Sequence, residues 1–370
     1  MNPDRQEPVA YREVAACYEN SAIRDVNIEN EYHECLFTFP THTAVGASHS
    51  FGPGRFLSWR LAESTPKVLE LAEMSTNGAL RDNLLRFHLP AAIFPQIVVS
   101  SDQDKLFALT LDGMVYCLIL PRPAQADASC LADFDGRGVQ SFDLRRAMLS
   151  DKIENPTAMA FLEDRICIGG SNGSILSVQI SLFGSADVSA ASAGISVLKD
   201  PIIQRLWTGL VQRPIPPIKY LYSCAWQGES FLFSIDEESN LRVWDPRKQQ
   251  RVLFTTLCGR QGTEAPLRPI AFCVQSTADR NCDIAVAFSS DSWAYLGICR
   301  MSLQDGQENA AQILFCDLLF CQVFPTACIG HVGPLEEVAL GPGLVKAIQG
   351  GGEQFWVVIQ HVNDAGITET

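Results

Sequence analysis

Apolar and polar residues alternate through short runs that meet at polar or glycine-rich turns, and this pattern recurs along most of the chain. Residues 228–246 show it best. An arm from Phe231 to Ile235 leads into a polar turn, Asp236 to Asn240, and a second arm from Leu241 to Trp244 closes on Asp245. Alternation on both arms of a tight turn predicts a half-buried antiparallel hairpin. Lys105 to Leu120 repeats the design around Asp112-Gly113, and Arg165 to Ile180 repeats it around Ser171-Asn172-Gly173. Glycine suits such turns because positive φ carries no steric penalty for it. Further copies run from Asp283 to Cys299 and from Leu344 to Gln360, and a poorer one from Thr43 to Leu61 closes on Phe56-Leu57-Ser58-Trp59.

The turns enter their second strands at Gly54, Gly113, Gly173, Asn240, Ser292 and Glu353, at spacings of 59, 60, 67, 52 and 61 residues. One four-stranded sheet per repeat, with long connections, accounts for that period. Trp244-Asp245 is the dipeptide that often ends the third strand of a WD-repeat blade. The expected fold is therefore an all-β propeller. Six hairpins are visible, and seven blades are favoured over six. The seventh would come from the 301–340 stretch or from strands shared between the chain ends. Short helical insertions are expected at Phe142–Leu149 and Ile202–Leu210. The expected organisation is an N-terminal segment, 1–35, partly extended or flexible, a propeller over 36–362 and a tail over 363–370. Trp59, Gly113, Gly173, Trp244 and Asp245 are the expected structural blade positions.

Composition narrows the function. The 370 residues are 47% hydrophobic, enough for a large core, and carry a net charge of −14. That balance argues against direct nucleic-acid binding, which needs a basic surface; the densest basic pairs are only Arg145-Arg146 and Arg247-Lys248. No run of 18 apolar residues predicts a membrane-spanning helix, and the polar start lacks a secretory pattern. Thirteen cysteines, an odd number, sit largely in expected strands and read as small buried groups in a reducing compartment. Cys316 and Cys321 have no matched second pair, so no zinc site is expected.

Catalytic patterns are missing as well. No phosphate-binding loop or nucleophile elbow occurs. Gly169-Gly170-Ser171-Asn172-Gly173 lies between two strands and reads as a turn. Asp133-Phe134-Asp135-Gly136 lacks the distal ligands of a calcium loop. His33, His42, His49, His88, His331 and His361 show no metal-ligand spacing. No enzyme, cofactor, metal or small-molecule substrate is expected, which leaves protein docking.

Three segments, in order, carry a family resemblance. They are Phe56-Leu57-Ser58-Trp59-Arg60-Leu61, Ile203-Gln204-Arg205-Leu206-Trp207-Thr208-Gly209, and the Phe231–Ser234 and Leu241–Trp244 arms. Together they resemble the large scaffold nucleoporin of the Y-shaped outer-ring complex of the nuclear pore, the 160-kilodalton nucleoporin of animals and 120-kilodalton nucleoporin of fungi. The resemblance implies an N-terminal propeller followed by a long helical stack, so the chain is expected to be part of a longer protein. It implies a non-enzymatic scaffold at the nuclear pore in the nuclear envelope. The expected partners are other Y-complex nucleoporins, and the expected role is support of mRNA and protein transport.

Two further readings stand beside it. Trp244-Asp245-Pro246-Arg247 fits the Trp-Asp-x-Arg pattern of WD-repeat substrate receptors for cullin ubiquitin ligases, the alternative function. Residues 181–199 are rich in Ser, Gly and Ala. As a helix they would align Leu182 and Val197 on one face with Phe183 beside it, as in segments that bind weakly to curved membrane such as the nuclear envelope. A flexible inter-blade loop is the other reading of that segment.

Overall fold

The computed structural model describes residues 23–29, 34–37, 45–52, 55–61, 64–75, 80, 83–100, 104–121, 128–132, 134, 136, 138–145, 154–182, 194–198, 215–226, 228–257, 268–276, 281–289, 293–304, 312–325, 343–351, 354–362 and 368–369. Their strands form six sheets. The first holds β1 (Arg24–Asn27), β2 (Val45–Gly52), β3 (Arg55–Leu61), β4 (Val68–Ser75) and β5 (Leu84–His88). The second holds β6 (Ile93–Val99), β7 (Lys105–Thr110), β8 (Met114–Ile119) and β9 (Val139–Asp143). The third holds β10 (Pro156–Leu162), β11 (Arg165–Gly170), β12 (Ile175–Gln179) and β13 (Ile195–Leu198). The fourth holds β14 (Ile218–Trp226), β15 (Glu229–Asp236), β16 (Asn240–Asp245) and β17 (Gln250–Thr256). The fifth holds β18 (Arg268–Ser276), β19 (Asn281–Ser289), β20 (Trp293–Gln304) and β21 (Gln312–Pro325), and the last β22 (Gly343–Gly351), β23 (Gln354–Val362) and β24 (Thr368–Glu369).

All six expected hairpins are present: β2–β3, β7–β8, β11–β12, β15–β16, β19–β20 and β22–β23 are antiparallel pairs. β6 lies against both β2 and β10, β14 against β10 and β18, and β22 against both β18 and β2. Six strands, the leading strand of each meander, thus close a ring, the geometry of a β-propeller. Apart from β1, every sheet is built from consecutive strands, and among the described residues none combines the two chain ends. The 301–340 stretch supplies no separate sheet there: residues 301–304 end β20 and 312–325 form β21, both in the fifth sheet.

The central strands of the second, third and fourth sheets are buried on both faces because a sheet lies on either side. Phe107 and Leu109 face a cluster shared with Met159, Phe161 and Ile168 of the third sheet, while Leu106 and Ala108 face Trp59, Leu71 and Leu85 of the first. Leu232 and Trp244 face Ala158, Cys167 and Ile175, whereas Phe231, Phe233 and Val243 face Val274, Ile284 and Val286. Burying each such side chain contributes about 1.5–3 kcal/mol, so the spaces between sheets are the core.

Two connections strap sheets together. β1 adds to β5 in parallel, and the backbone N–H groups of Leu36 and Phe37 then donate to the Leu111 carbonyl of the second sheet at 2.8 and 3.1 Å. In return, the link between β8 and β9 crosses to the first sheet, where Cys130, Leu131 and Phe134 enter its core. Glu73 anchors that link: its buried carboxylate pairs with Arg55 and accepts from Ser129 Oγ at 2.8 Å and the Cys130 N–H at 2.7 Å.

The expected helix at Phe142–Leu149 begins wrongly. Phe142 and Asp143 belong to β9, because Val139, Ser141 and Asp143 alternate with Gln140 and Phe142 and pair with β8. Arg145 has helical backbone, while 146–149 and the second expected helix, Ile202–Leu210, lie outside the described residues.

Candidate functional site

The positions singled out in the sequence are mostly blade turns. In β7–β8 the Gly113 N–H donates to the Thr110 carbonyl at 2.9 Å, and Gly113 has φ +83°. In β11–β12 the Gly173 N–H donates to the Gly170 carbonyl at 3.0 Å, with φ +72°. A turn followed by one left-handed residue is the three-residue hairpin connection. The fourth sheet uses it too, but its left-handed residue is Ser239, with φ +64° and its N–H on the Asp236 carbonyl at 3.0 Å. The counterpart of the two glycines is therefore Ser239 and not Asn240.

Asp236 explains how a serine is held there. Its buried Oδ1 accepts the N–H groups of Glu238 and Asn240 at 3.0 and 2.9 Å, and Oδ2 accepts Asn240 Nδ2 at 2.9 Å and pairs with Arg242 Nη1 at 2.8 Å. The carboxylate fixes the turn from inside. In the second sheet Asp112, also buried, accepts from Thr110 Oγ1 at 2.5 Å.

Trp59 on β3 is 4% exposed and lies in the core between the first two sheets. Trp244 on β16 is 1% exposed; its ring packs between the third and fourth sheets, and Nε1 donates to Ser234 Oγ at 2.9 Å. Asp245 caps the next turn, where Oδ1 accepts the N–H groups of Arg247 and Lys248 at 3.0 and 3.1 Å. Burial works against its charge, but the Lys248 backbone and ammonium outweigh it and hold the carboxyl below its usual range. Arg247, the arginine of the Trp-Asp-x-Arg pattern, bonds to Glu163 Oε1 of the third sheet at 3.1 Å. The pattern is occupied in turn formation and in a contact between sheets.

Residues 181–199 divide. Leu182 ends a short 3-10 turn, Ile180–Leu182. Phe183 lies outside the described residues. Val197 is in β13, paired with Leu176 and packed against the core. A single helical face from Leu182 to Val197 is therefore incorrect: Ile195-Ser-Val-Leu198 completes the third sheet, as its β-branched residues favour.

Among the described residues, no group of three or more His, Cys, Asp or Glu side chains could hold a metal ion, and no helix is long and apolar enough to cross a membrane. His88 Nε2 meets Asp25 Oδ1 at 2.7 Å, joining β1 to β5. Burial pushes the thiols of Cys117 and Cys167 up to about 12, which makes them inert at neutral pH. One surface feature had escaped the sequence reading. Phe254 on β17 is 42% exposed, with the guanidinium carbons of Arg242 and Arg251 at 5.4 and 4.9 Å from its ring centre. The only sequence signal for it was a phenylalanine on the polar side of an outer strand.

Several known proteins are similar to this chain. Nuclear pore complex protein NUP160 of Arabidopsis thaliana is 22% identical over 305 residues, covering 76% of this chain and 19% of that protein. The chain thus spans about a fifth of the length of the curated relative it matches. Among solved structures, the β-propeller domain of Cps50 (Swd1) from Myceliophteria thermophila aligns with a TM-score of 0.42 at 10% identity, over 78% of this chain and 74% of that one. A chain of the mitotic checkpoint complex aligns with a TM-score of 0.43 at 7% identity, over 82% and 68%. Residues 55–309 match the family described as nucleoporin Nup120/160, beta-propeller domain. That span is most of the chain and runs from β3 through β20, so the protein belongs to the Nup120/160 nucleoporin β-propeller family.

Proposed function

We propose that this chain is a non-enzymatic structural propeller of the nuclear pore scaffold. It would hold other Y-complex nucleoporins in fixed geometry at the nuclear envelope and so support transport of mRNA and protein. The observation that carries this reading is the family match across residues 55–309. The architecture fits it: turn carboxylates fix hairpins, tryptophans fill the spaces between sheets, and the ring gives a rigid body with large faces for docking. Membrane contact is a lesser part of the proposal and would rest on Leu182 and Phe183 without Val197.

Affinity capture of the tagged full chain from its own cells, with fluorescence imaging, tests the reading. A nuclear-rim signal and recovery of outer-ring nucleoporins are expected. Recovery of a cullin ligase adaptor with a diffuse signal would overturn it. Flotation with small and large vesicles tests the membrane part, where preference for small vesicles, lost in Phe183→Asp, is expected. No flotation, or equal flotation with both, would remove it.

A further inference from the structure

The last sheet leaves most of one edge of β23 open. β24 pairs with β23 only at His361 and Val362, and among the described residues no other strand lies on that side. Backbone N–H and C=O groups along Gln354–Gln360 therefore form a template there for one more strand. The outer strands of the other sheets are guarded by charge or by shortness. β1 carries Arg24 and Asp25, β9 Asp143, β17 Arg251 and β21 Asp317, while β13 has only four residues. Neither guard is present in β23, whose open run reads Gln-Phe-Trp-Val-Val-Ile-Gln, without charge, proline or glycine.

We propose that a second copy of this chain fills this edge, the two β23 strands pairing antiparallel about a twofold axis at Val357. The run is self-complementary in that register. Gln354 falls opposite Gln360, Phe355 opposite Ile359, Trp356 opposite Val358, and Val357 opposite its own counterpart. Polar ends thus pair with polar ends, and aromatic positions with β-branched ones, the combination that stabilises neighbouring strands. A slip of one residue sets Phe355 against Gln360 and loses that match.

The backbone sets the limits of this pairing. β24 takes the edge from His361 onward, and β23 begins at Gln354, where its hairpin with β22 closes on Gly351. A second Gln354–Gln360 run laid antiparallel spans the distance between those limits residue for residue. Each copy uses the edge once, and the contact is isologous, so assembly closes at a dimer and does not grow into a filament.

Light scattering on a dilution series of the full chain, with hydrogen exchange at each concentration, tests the proposal. A dimer that dissociates on dilution is expected, and the amides of residues 354–360 should exchange more slowly as dimer forms. Because Val357 meets its own counterpart, Val357→Lys and Val357→Glu should each remove the dimer by setting like charges opposite each other. An equimolar mixture of the two variants should restore it. A monomer at every concentration, assemblies that grow beyond the dimer, or a dimer without added protection at 354–360 would overturn the proposal. So would a dimer that survives Val357→Lys, or folded variants that fail to pair when mixed. Mass and exchange of the unaltered chain decide the matter even where a variant does not fold.

Discussion

Trp244 joins two kinds of interaction in one side chain, and substitutions separate them. The ring fills the space between the third and fourth sheets, and Nε1 satisfies Ser234 Oγ. Trp244→Ala should cost about 3–5 kcal/mol as a large-to-small core change. Trp244→Phe, keeping most of the ring but losing the hydrogen bond, should cost less, about 1–3 kcal/mol with the smaller volume included. Denaturant unfolding measures both, and an unchanged midpoint for the alanine variant would refute the packing described. Gly173 offers a sharper contrast. A Cβ there would meet Ile215 Cγ2 at 2.3 Å, on a backbone with φ +72°. Gly228 has φ +79° but open space around it. Gly228→Ala should therefore show only the left-handed backbone cost, about 1–2 kcal/mol, and Gly173→Ala should exceed it. Equal melting temperatures for the two variants would mean that Ile215 moves aside without penalty.

At the scale of strands, Glu70 sits on β4 between Arg60 of β3 and Arg86 of β5, directly opposite both in register. It pairs with Arg60, and with Arg86 Nε at 2.8 Å. Burial opposes its charge, but the two guanidinium groups outweigh it and lower its pKa. A carboxyl depressed in the folded state contributes stability above the unfolded value, about pH 4, and loses it as pH falls. Glu70→Gln should therefore flatten the acid side of a stability-against-pH curve and leave two arginines in mutual repulsion at neutral pH. A steeper acid limb in the variant would contradict this sign. How far such elements were legible depended on locality. The hairpins were readable because alternation and turn chemistry act within about 15 residues. β1 was not: Arg24-Asp-Val-Asn27 has one apolar residue, Val26, and gains its partner from β5, far along the chain. The strap at Ser129–Leu131 was equally hidden, since its anchor, Glu73, lies in another sheet. Ser239 was missed because a buried carboxylate within the same turn, that of Asp236, replaces the glycine that a turn normally shows. Among the candidate site residues, those set by local pattern were placed by sequence, Gly113 and Gly173 in turns and Asp245 at a strand end, whereas Val197 followed its sheet partner Leu176 and not a helical face.

For the whole molecule, the closed ring of six leading strands ties function to rigidity, as the proposed scaffold role requires. Its seams are not alike. The first two sheets exchange straps in both directions, and Gln96 of β6 clasps β10 by donating to the Met159 carbonyl at 2.9 Å and accepting its N–H at 2.8 Å. The last and first sheets meet through β22 and β2, without a shared strand among the described residues. Hydrogen exchange should accordingly be slow in β7 and β8 and faster along β22; uniform protection around the ring would show that the closing seam is as strong as the rest. Assembly from consecutive strands also has a consequence for biosynthesis. Each meander can begin to form as soon as its own residues leave the ribosome, because its strand-to-strand hydrogen bonds require nothing made later. The growing chain would lengthen as an open arc of finished sheets, and its leading edge would wait, β2 uncovered, until β22 arrives. A ribosome stalled before residue 343 should then display that edge to proteases and chaperones, and one released after it should not.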